Sequence, residues 1–206
     1  MADQRRSSEA RQAELTDAAL RIIATHGIAA LSTRALAAEV GLTSGAIFRH
    51  FASLEALLDA VVGRVEAVLD ATFPPAELEP LQRLARFIEA RTSAVGSQVG
   101  ILRLVLSEQF SLALPAHGSE RLASCVDKTR RFVRACLRDA QAAGSARGDV
   151  SAEAMVPIVM GTMQMLALLP AEARRREAET RTVVGALLAL LRTPLPSPTH
   201  PRRNDP

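Results

Sequence analysis

The chain has 206 residues, of which 48% are hydrophobic, 3% aromatic and 23% charged, and its formal net charge is +3. This apolar content is sufficient for a globular core in one compact unit, or in a small domain and a larger one. Tryptophan and tyrosine are absent, which argues against a platform of stacked aromatic rings for single-stranded nucleic acid. Nearly all the positive charge is arginine, the side chain suited to planar recognition of phosphate or guanine.

Several classes of protein are disfavoured by the sequence. No apolar run approaches the roughly 20 residues needed to cross a bilayer, and the N-terminus lacks the apolar segment of a secretion signal. Cys125 and Cys136 lie in one predicted helix, roughly 16 Å apart along its axis, so they cannot form a disulfide with each other. The histidines and cysteines show no close ligand spacing. We therefore expect a cytoplasmic, soluble, reduced protein with no metal, no cofactor and no membrane contact.

Between its ends the chain has the pattern of helices separated by short breakers, without a convincing alternating strand, which predicts an all-α fold. Ser32, Thr43 and Ser53 each precede a helix and are predicted as N-caps. Gly41 permits a sharp turn between the second and third helices. Pro157 is expected to kink the helix that contains it. The predicted helices are 9–26, 33–40, 44–51, 54–69, 77–95, 99–113, 118–143, 151–169 and 171–192.

Residues 33–51 have the form of a bracing helix followed by a helix that can read duplex DNA in the major groove. In the third helix Ile47 and Phe51 lie four residues apart and can face a small core. Small residues at its start would let the backbone approach the groove, and Arg49 can bind guanine or clamp a phosphate. The residues left on the remaining surface are Ser44, Gly45, Ala46, Phe48, Arg49 and His50.

Hydroxyls and free amides at two helix N-termini are favourable for binding backbone phosphates. Thr33 and Thr43 supply such hydroxyls, together with Ser32 and Ser44. Ordinary capping is the alternative role for these residues, and for Arg49 and His50 the alternative is a solvated helix face. The spacing alone does not decide between these readings.

The segment GLTSGAIFRHFASLEALLDAV resembles the signature of the TetR family of transcriptional regulators, and the resemblance covers roughly residues 11–62. It implies an N-terminal three-helix DNA-binding domain and a larger helical regulatory domain. By this resemblance Thr33 contacts phosphate, the start of the third helix and Arg49 face bases or nearby backbone, and Phe48 and His50 pack on the sugar-phosphate chain. Phe48 replaces the usual tyrosine and Leu54 the usual lysine, so two expected backbone contacts are missing.

The expected organisation is a disordered basic tail at 1–8, the DNA-binding domain at 9–53, a ligand-binding and dimerisation domain at 54–193, and a disordered tail at 194–206. The fourth helix is expected to belong to both units. Arginines before the first helix could reach a minor groove.

Two surfaces of the larger domain are singled out. Methionines crowd the helix predicted at 151–169, where they could line a pocket for apolar ligands, although core packing is the alternative. The candidate ligand residues are Leu104, Glu108, Met160, Met163 and Gln164. A broad apolar stripe on the last helix suggests a partner helix, and the resemblance implies a four-helix bundle with a second subunit. The stripe consists of Val183, Val184, Leu187, Leu188 and Leu191.

These features predict a sequence-specific, DNA-binding transcriptional regulator, and we expect a repressor. It would bind a palindromic double-stranded operator as a homodimer and be released by a small apolar effector. The alternative is a helical protein-interaction module whose 43–51 helix contacts a protein. An enzyme is disfavoured because the sequence shows no Ser/His/Asp arrangement, no local pair of carboxylates and no phosphate-cradling glycine loop.

Overall fold

The computed structural model describes residues 2–97, 108–168 and 173–192, and over these ranges it confirms the all-α prediction. The β pairing within them is an isolated bridge between Ala146 and Arg192. A short 3₁₀ turn, Ile28–Ala30, follows the first helix. The helices are α1 Ala2–His26, α2 Thr33–Val40, α3 Ser44–Ile47, α4 Leu54–Asp70, α5 Pro80–Ser97, α6 Glu108–Ala113, α7 Ala116–Ala142, α8 Ala152–Leu168 and α9 Ala173–Leu191.

Helix α1 begins at Ala2 instead of Glu9, so the segment predicted as a disordered tail is helical from its second residue. The reason is local, because neither glycine nor proline interrupts these residues and most of them favour helix. Helix α8 continues through Pro157. The predicted tail at 194–206 and most of the predicted 99–113 helix lie outside the described residues.

Helix α3 is shorter than predicted. Its regular α-helical part ends at Ile47, and the chain continues to Phe51 in tighter turns. The backbone amides of His50 and Phe51 both donate to the carbonyl of Ile47, at 2.9 and 3.0 Å. The segment therefore keeps Ile47 and Phe51 on the same side without forming a second full helical turn.

Two clusters of buried apolar side chains organise the fold. The first combines α1, α2, α3 and α4 with Phe110, Leu114 and Leu122 from the region of α6 and α7. The second combines α5, α7, α8 and α9, with α5 packed against the other three helices. Helix α4 contributes most of its apolar face to the first cluster, and it also packs against α5 and α7.

Ion pairs fix α4 from two sides. On the α7 side, Arg121 Nε lies 3.1 Å from both carboxylate oxygens of Glu66, and its Nη1 lies 2.6 Å from Asp59. On the α1 side, Arg64 Nε lies 3.0 Å from Asp17. Partly exposed pairs of this kind contribute at most about 1 kcal/mol each to stability. Their main effect is to set the orientation of α4 between the two clusters.

Three aromatic rings pack the turn that follows α4 against the second cluster. Phe73, Phe87 and Phe132 have ring centroids 4.7 to 5.2 Å apart. The buried guanidinium of Arg91 lies 5.3 Å from the Phe73 ring and 4.9 Å from the Phe87 ring, a favourable cation–π arrangement. Burial lowers the pKa of Arg91 to about 10, so the side chain stays charged at neutral pH. Phe73 is thereby held in one place.

Candidate DNA-binding surface

The turn between α2 and α3 follows from two local features. Helix α2 starts after Ser32, whose hydroxyl oxygen accepts a hydrogen bond from the Ala35 amide at 3.1 Å. It ends at Gly41, which adopts a left-handed conformation with φ of 68° that a side chain would strain. The Leu42 amide then donates to the Ala37 carbonyl at 2.9 Å. The chain turns sharply and directs α3 across α2.

The two faces of α3 and its following turns differ clearly. Ile47 is 2% exposed and Phe51 is 7% exposed, and both belong to the first cluster. Phe48 is 52% exposed, and Gly45 and Arg49 are also exposed. The half-buried residues of this segment are Ser44, Ala46 and His50. We call these six exposed or half-buried residues the α3 face.

Thr43 does not cap α3 with its side chain, which corrects the prediction. The Ala46 amide, which a capping hydroxyl would bind, instead donates to the Thr43 carbonyl at 2.9 Å. Thr43 is exposed, while Thr33 is half-buried at the first position of α2. The Thr43 hydroxyl therefore lies at the edge of the α3 face without the local bond expected of it.

Positive charge on the α3 face is not neutralised locally. Within the described residues, the exposed Arg34 and Arg49 form no ion pair. By contrast, Arg21 is 3.2 Å from Glu39, and Arg11 is 2.6 Å from Glu14. These two arginines of α1 are therefore paired with carboxylates, whereas Arg34 and Arg49 are not paired with any that the structure describes.

Two residues at the edge of the α3 face, Gln12 of α1 and Leu54 of α4, contribute no charge to it. The side chain of Gln12 in α1 donates to the His50 carbonyl at 2.8 Å and so fixes the end of the α3 segment. Sequence reasoning missed Gln12 because a contact across 38 positions leaves no local pattern. Leu54, the first residue of α4, is 38% exposed and brings no charge to this edge.

The predicted ligand residues are not gathered in one described cavity. Met163 is 6% exposed and packs in the second cluster, and Met160 and Gln164 are half-buried in α8. Leu104 and the side chain of Glu108 lie outside the described residues. A ligand site at these positions stays a prediction.

The predicted dimer stripe needs correction. Val184, Leu187 and Leu191 are at most 5% exposed and belong to the subunit's own second cluster, and Val183 and Leu188 pack against it. The cause is that α9 packs on α5, which uses the apolar stripe inside the subunit. These side chains leave little surface for a second subunit to cover.

Other apolar side chains of the last two helices do face outward. Ile158 and Met165 of α8 are 56% and 61% exposed, and Leu190 of α9 is 69% exposed. Gly161 of α8 and Gly185 of α9 are also exposed, and an added Cβ at either position would meet no atom within 4 Å. We call these five residues the outer α8–α9 face.

No group of three or more potential metal-ligating side chains occurs among the described residues. None of the helices in the described part of the chain has the length and apolarity required to cross a bilayer.

A short helix with small exposed residues, held behind a glycine turn by a bracing helix, defines a helix-turn-helix DNA-binding protein. Residues 15–61 match the family model described as bacterial regulatory proteins, tetR family. This segment is therefore of the type found in the tetR family of bacterial transcriptional regulators. The resemblance noted in the sequence is thereby confirmed.

Relatives extend the similarity over most of the chain. The HTH-type transcriptional regulator SrpR of Pseudomonas putida is 24% identical over 196 residues, which cover 91% of this chain and 88% of SrpR. The ketosteroid transcriptional regulator KstR2 of Mycobacterium tuberculosis has a TM-score of 0.71 at 21% identity, covering 89% of this chain and 96% of KstR2. AibR, solved with isovaleryl coenzyme A and operator DNA, has a TM-score of 0.71 at 16% identity, with coverage of 86% and 98%. These structures share the fold of this chain.

The contrast between Ser32 and Thr43 predicts different effects on stability. Ser32→Ala removes an observed cap bond and should lower the free energy of unfolding by about 1 kcal/mol. Thr43→Ala removes no cap bond and should lower it by a few tenths of a kcal/mol at most. Urea unfolding followed by circular dichroism measures both. Equal losses for the two variants would contradict the assignment.

Proposed function

We propose that this chain is a dimeric transcriptional repressor that binds an inverted-repeat operator and leaves it when a small effector binds. The observation that carries the proposal is the α3 face, with its unpaired Arg49, within the segment that matches the family model. A protein-interaction module would not require an unpaired arginine beside small residues on so short a helix. The proposed site of action is the cytoplasm.

The proposed contacts divide into two kinds. Gly45 and Ala46 would approach the base edges, since they add little bulk, and Ser44 would lie beside them. Arg49 would either bind guanine or clamp a phosphate. Backbone contacts position the protein without specifying a sequence. The residues proposed for backbone contacts are Thr33, Thr43, Phe48 and His50.

Arg49→Ala is the direct test of the proposed DNA-reading face. Operator affinity should fall by roughly 10-fold or more, since a good guanine contact contributes about 1 to 3 kcal/mol. If Arg49 reads a base, the variant loses discrimination at one position. If it clamps a phosphate, the log-log salt slope becomes shallower by about 0.9. Fluorescence anisotropy with the DNA that the chain selects measures both quantities.

Arg131→Ala is the matched control, because Arg131 is an exposed arginine of α7 far along the chain from the α3 face. It should leave operator affinity unchanged. Equal affinity of Arg49→Ala and the wild type would reject the α3 face as the DNA-binding surface.

Leu54 supplies a gain-of-contact test. It is partly exposed at the start of α4, where the family usually has lysine, so Leu54→Lys should add one phosphate contact. The salt dependence of binding should steepen by about 0.9 in the log-log slope. Gln82→Lys adds the same charge at an exposed position of α5 and should leave the slope unchanged. Identical slopes for both variants would count against the proposed orientation on DNA.

The proposed dimer interface is the outer α8–α9 face. Three large apolar side chains in two adjacent helices are exposed there, and the glycines beside them would allow close approach of a second copy. Two-fold pairing places two α3 faces toward half-sites roughly 34 Å apart, or somewhat more. Dimerisation would therefore be required for tight binding to an inverted repeat.

The double substitution Met165→Glu and Leu190→Glu should convert the dimer to a monomer, because it places charges where two apolar faces meet. Folding should be retained, since both side chains are exposed within the subunit. Leu112→Glu is the matched control, as Leu112 is 78% exposed in α6. Light scattering coupled to gel filtration gives the masses. A dimeric double variant, or a monomeric Leu112→Glu, would refute this interface.

The proposal of an effector rests on the regulatory part of the fold and on relatives. AibR has been solved with isovaleryl coenzyme A and operator DNA together, and KstR2 is by name a ketosteroid regulator. For this chain we propose only a response to a small molecule, and neither of these two ligands. Release requires that the effector bind more tightly to the conformation with lower operator affinity.

A further inference from the structure

The regulatory part of the chain contains a cavity that none of the predicted ligand residues lines. It has a volume of about 970 Å³ and lies between the turn after α4, helix α5 and the first half of α9. Phe73, Pro74, Pro75 and Leu78 form one apolar wall, and Ala90 of α5 contributes to another. Cavities of roughly 300 to 1,000 Å³ with mostly apolar walls are typical of small-molecule sites.

A narrower hollow of about 410 Å³ shares part of its lining with this cavity. Ala71, Thr72, Ala90 and Ser93 line both, so the two spaces adjoin, and we call them together the α4–α5 groove. From the wide end at α9, the groove follows α4 to Arg64. An elongated molecule fits this shape better than a compact one.

Two buried hydroxyls at the wide end have no hydrogen-bond partner. Thr92 is 1% exposed and Thr180 is 4% exposed, and the hydroxyl oxygen of each is unpartnered. An unpaired buried hydroxyl costs roughly 1 to 3 kcal/mol, so a partner would be stabilising. Both side chains line the cavity, and a rotation about χ1 can bring the hydroxyl to the position that the methyl group occupies. A ligand oxygen could therefore bind to either hydroxyl.

The charges at the wide end balance. Arg86 and Arg181 line it together with Glu89 and Glu177, and Arg181 lies 3.3 Å from Glu177. Arg64, at the narrow end, is already paired with Asp17. The groove therefore favours a neutral ligand over an anion or a cation.

We propose that the α4–α5 groove is the effector site, and that it takes an elongated, mostly apolar, neutral molecule with a hydrogen-bonding oxygen held by Thr92 and Thr180. This inference rests on the proposed function. The groove contacts the end of α4, the helix α9 that carries part of the outer α8–α9 face, and Arg64, whose partner Asp17 belongs to α1. A ligand there touches elements of both the DNA-binding unit and the dimer interface.

Decan-1-ol is the probe, since it is elongated, neutral and carries one oxygen. Calorimetry should show saturable binding to the wild type. Ala90→Trp fills both parts of the groove from an exposed position and should weaken binding by at least 10-fold, whereas Ala123→Trp, at an exposed position of α7 outside the groove, should not change it. No saturable binding, or equal binding by Ala90→Trp and the wild type, would overturn the site.

The double variant Thr92→Val and Thr180→Val tests the role of the hydroxyls. It should bind decan-1-ol about 3- to 10-fold more weakly, as expected for a lost hydrogen bond, without a lower melting temperature. Thr162→Val is the control, because its hydroxyl donates to the Ile158 carbonyl at 2.9 Å and lies outside the groove. Unchanged binding by the double variant would overturn the assignment of the two threonines.

Operator binding separates this inference from the proposed function. Decan-1-ol should lower the operator affinity of the wild type at least 3-fold and leave that of Ala90→Trp unchanged. If both proteins bind the operator and decan-1-ol changes the affinity of neither, the groove is rejected as the effector site. The repressor proposal then still stands. If the probe binds by calorimetry but neither protein binds any selected DNA, the proposed function fails and the effector assignment fails with it.

Discussion

Helix α4 belongs to two packing environments at once, and the rest of the structure depends on this. Its apolar face completes the core of the three N-terminal helices, which alone would bury little surface. Its polar side is held by Arg121 of α7 through Glu66 and Asp59. Because α4 packs in the same core as Ile47 and Phe51, a shift of α4 is expected to act on the α3 segment.

Two polar contacts add to the apolar packing between α4, α1 and the α3 segment. Arg64 joins α4 to α1 through Asp17, and Gln12 joins α1 to the end of the α3 segment. Both contacts involve exposed or partly buried polar groups, whose individual contributions to stability are small. Such contacts can change without unfolding either core, which is compatible with the proposed release of the operator.

Much of the N-terminal unit could be predicted because its signals are local. The cap at Ser32, the left-handed Gly41 and the four-residue spacing of Ile47 and Phe51 depend on neighbours in sequence. The side-chain role of Thr43 could not be predicted in the same way, because the backbone of a very short helix uses the amide that its hydroxyl would bind.

The regulatory part was harder to predict for a physical reason. An apolar stripe such as that of Leu187 and Leu191 indicates that one face of α9 is buried. It does not indicate which helix packs against that face. In the structure α5 covers it, and the surface proposed for the second subunit includes Leu190. The α4–α5 groove likewise arises from how separate helices diverge, which no residue pattern in either helix records.

The measurement that tests the coupling through α4 most directly is the operator affinity of Arg121→Met, compared with Arg131→Met as the matched control. Arg121 lies in α7, far along the chain from the α3 face, and acts through Glu66 and Asp59. We expect a several-fold change in operator affinity with the oligomeric state unchanged, and no change for the control. An affinity equal to that of the wild type would show that α4 is positioned without these ion pairs and would contradict the account.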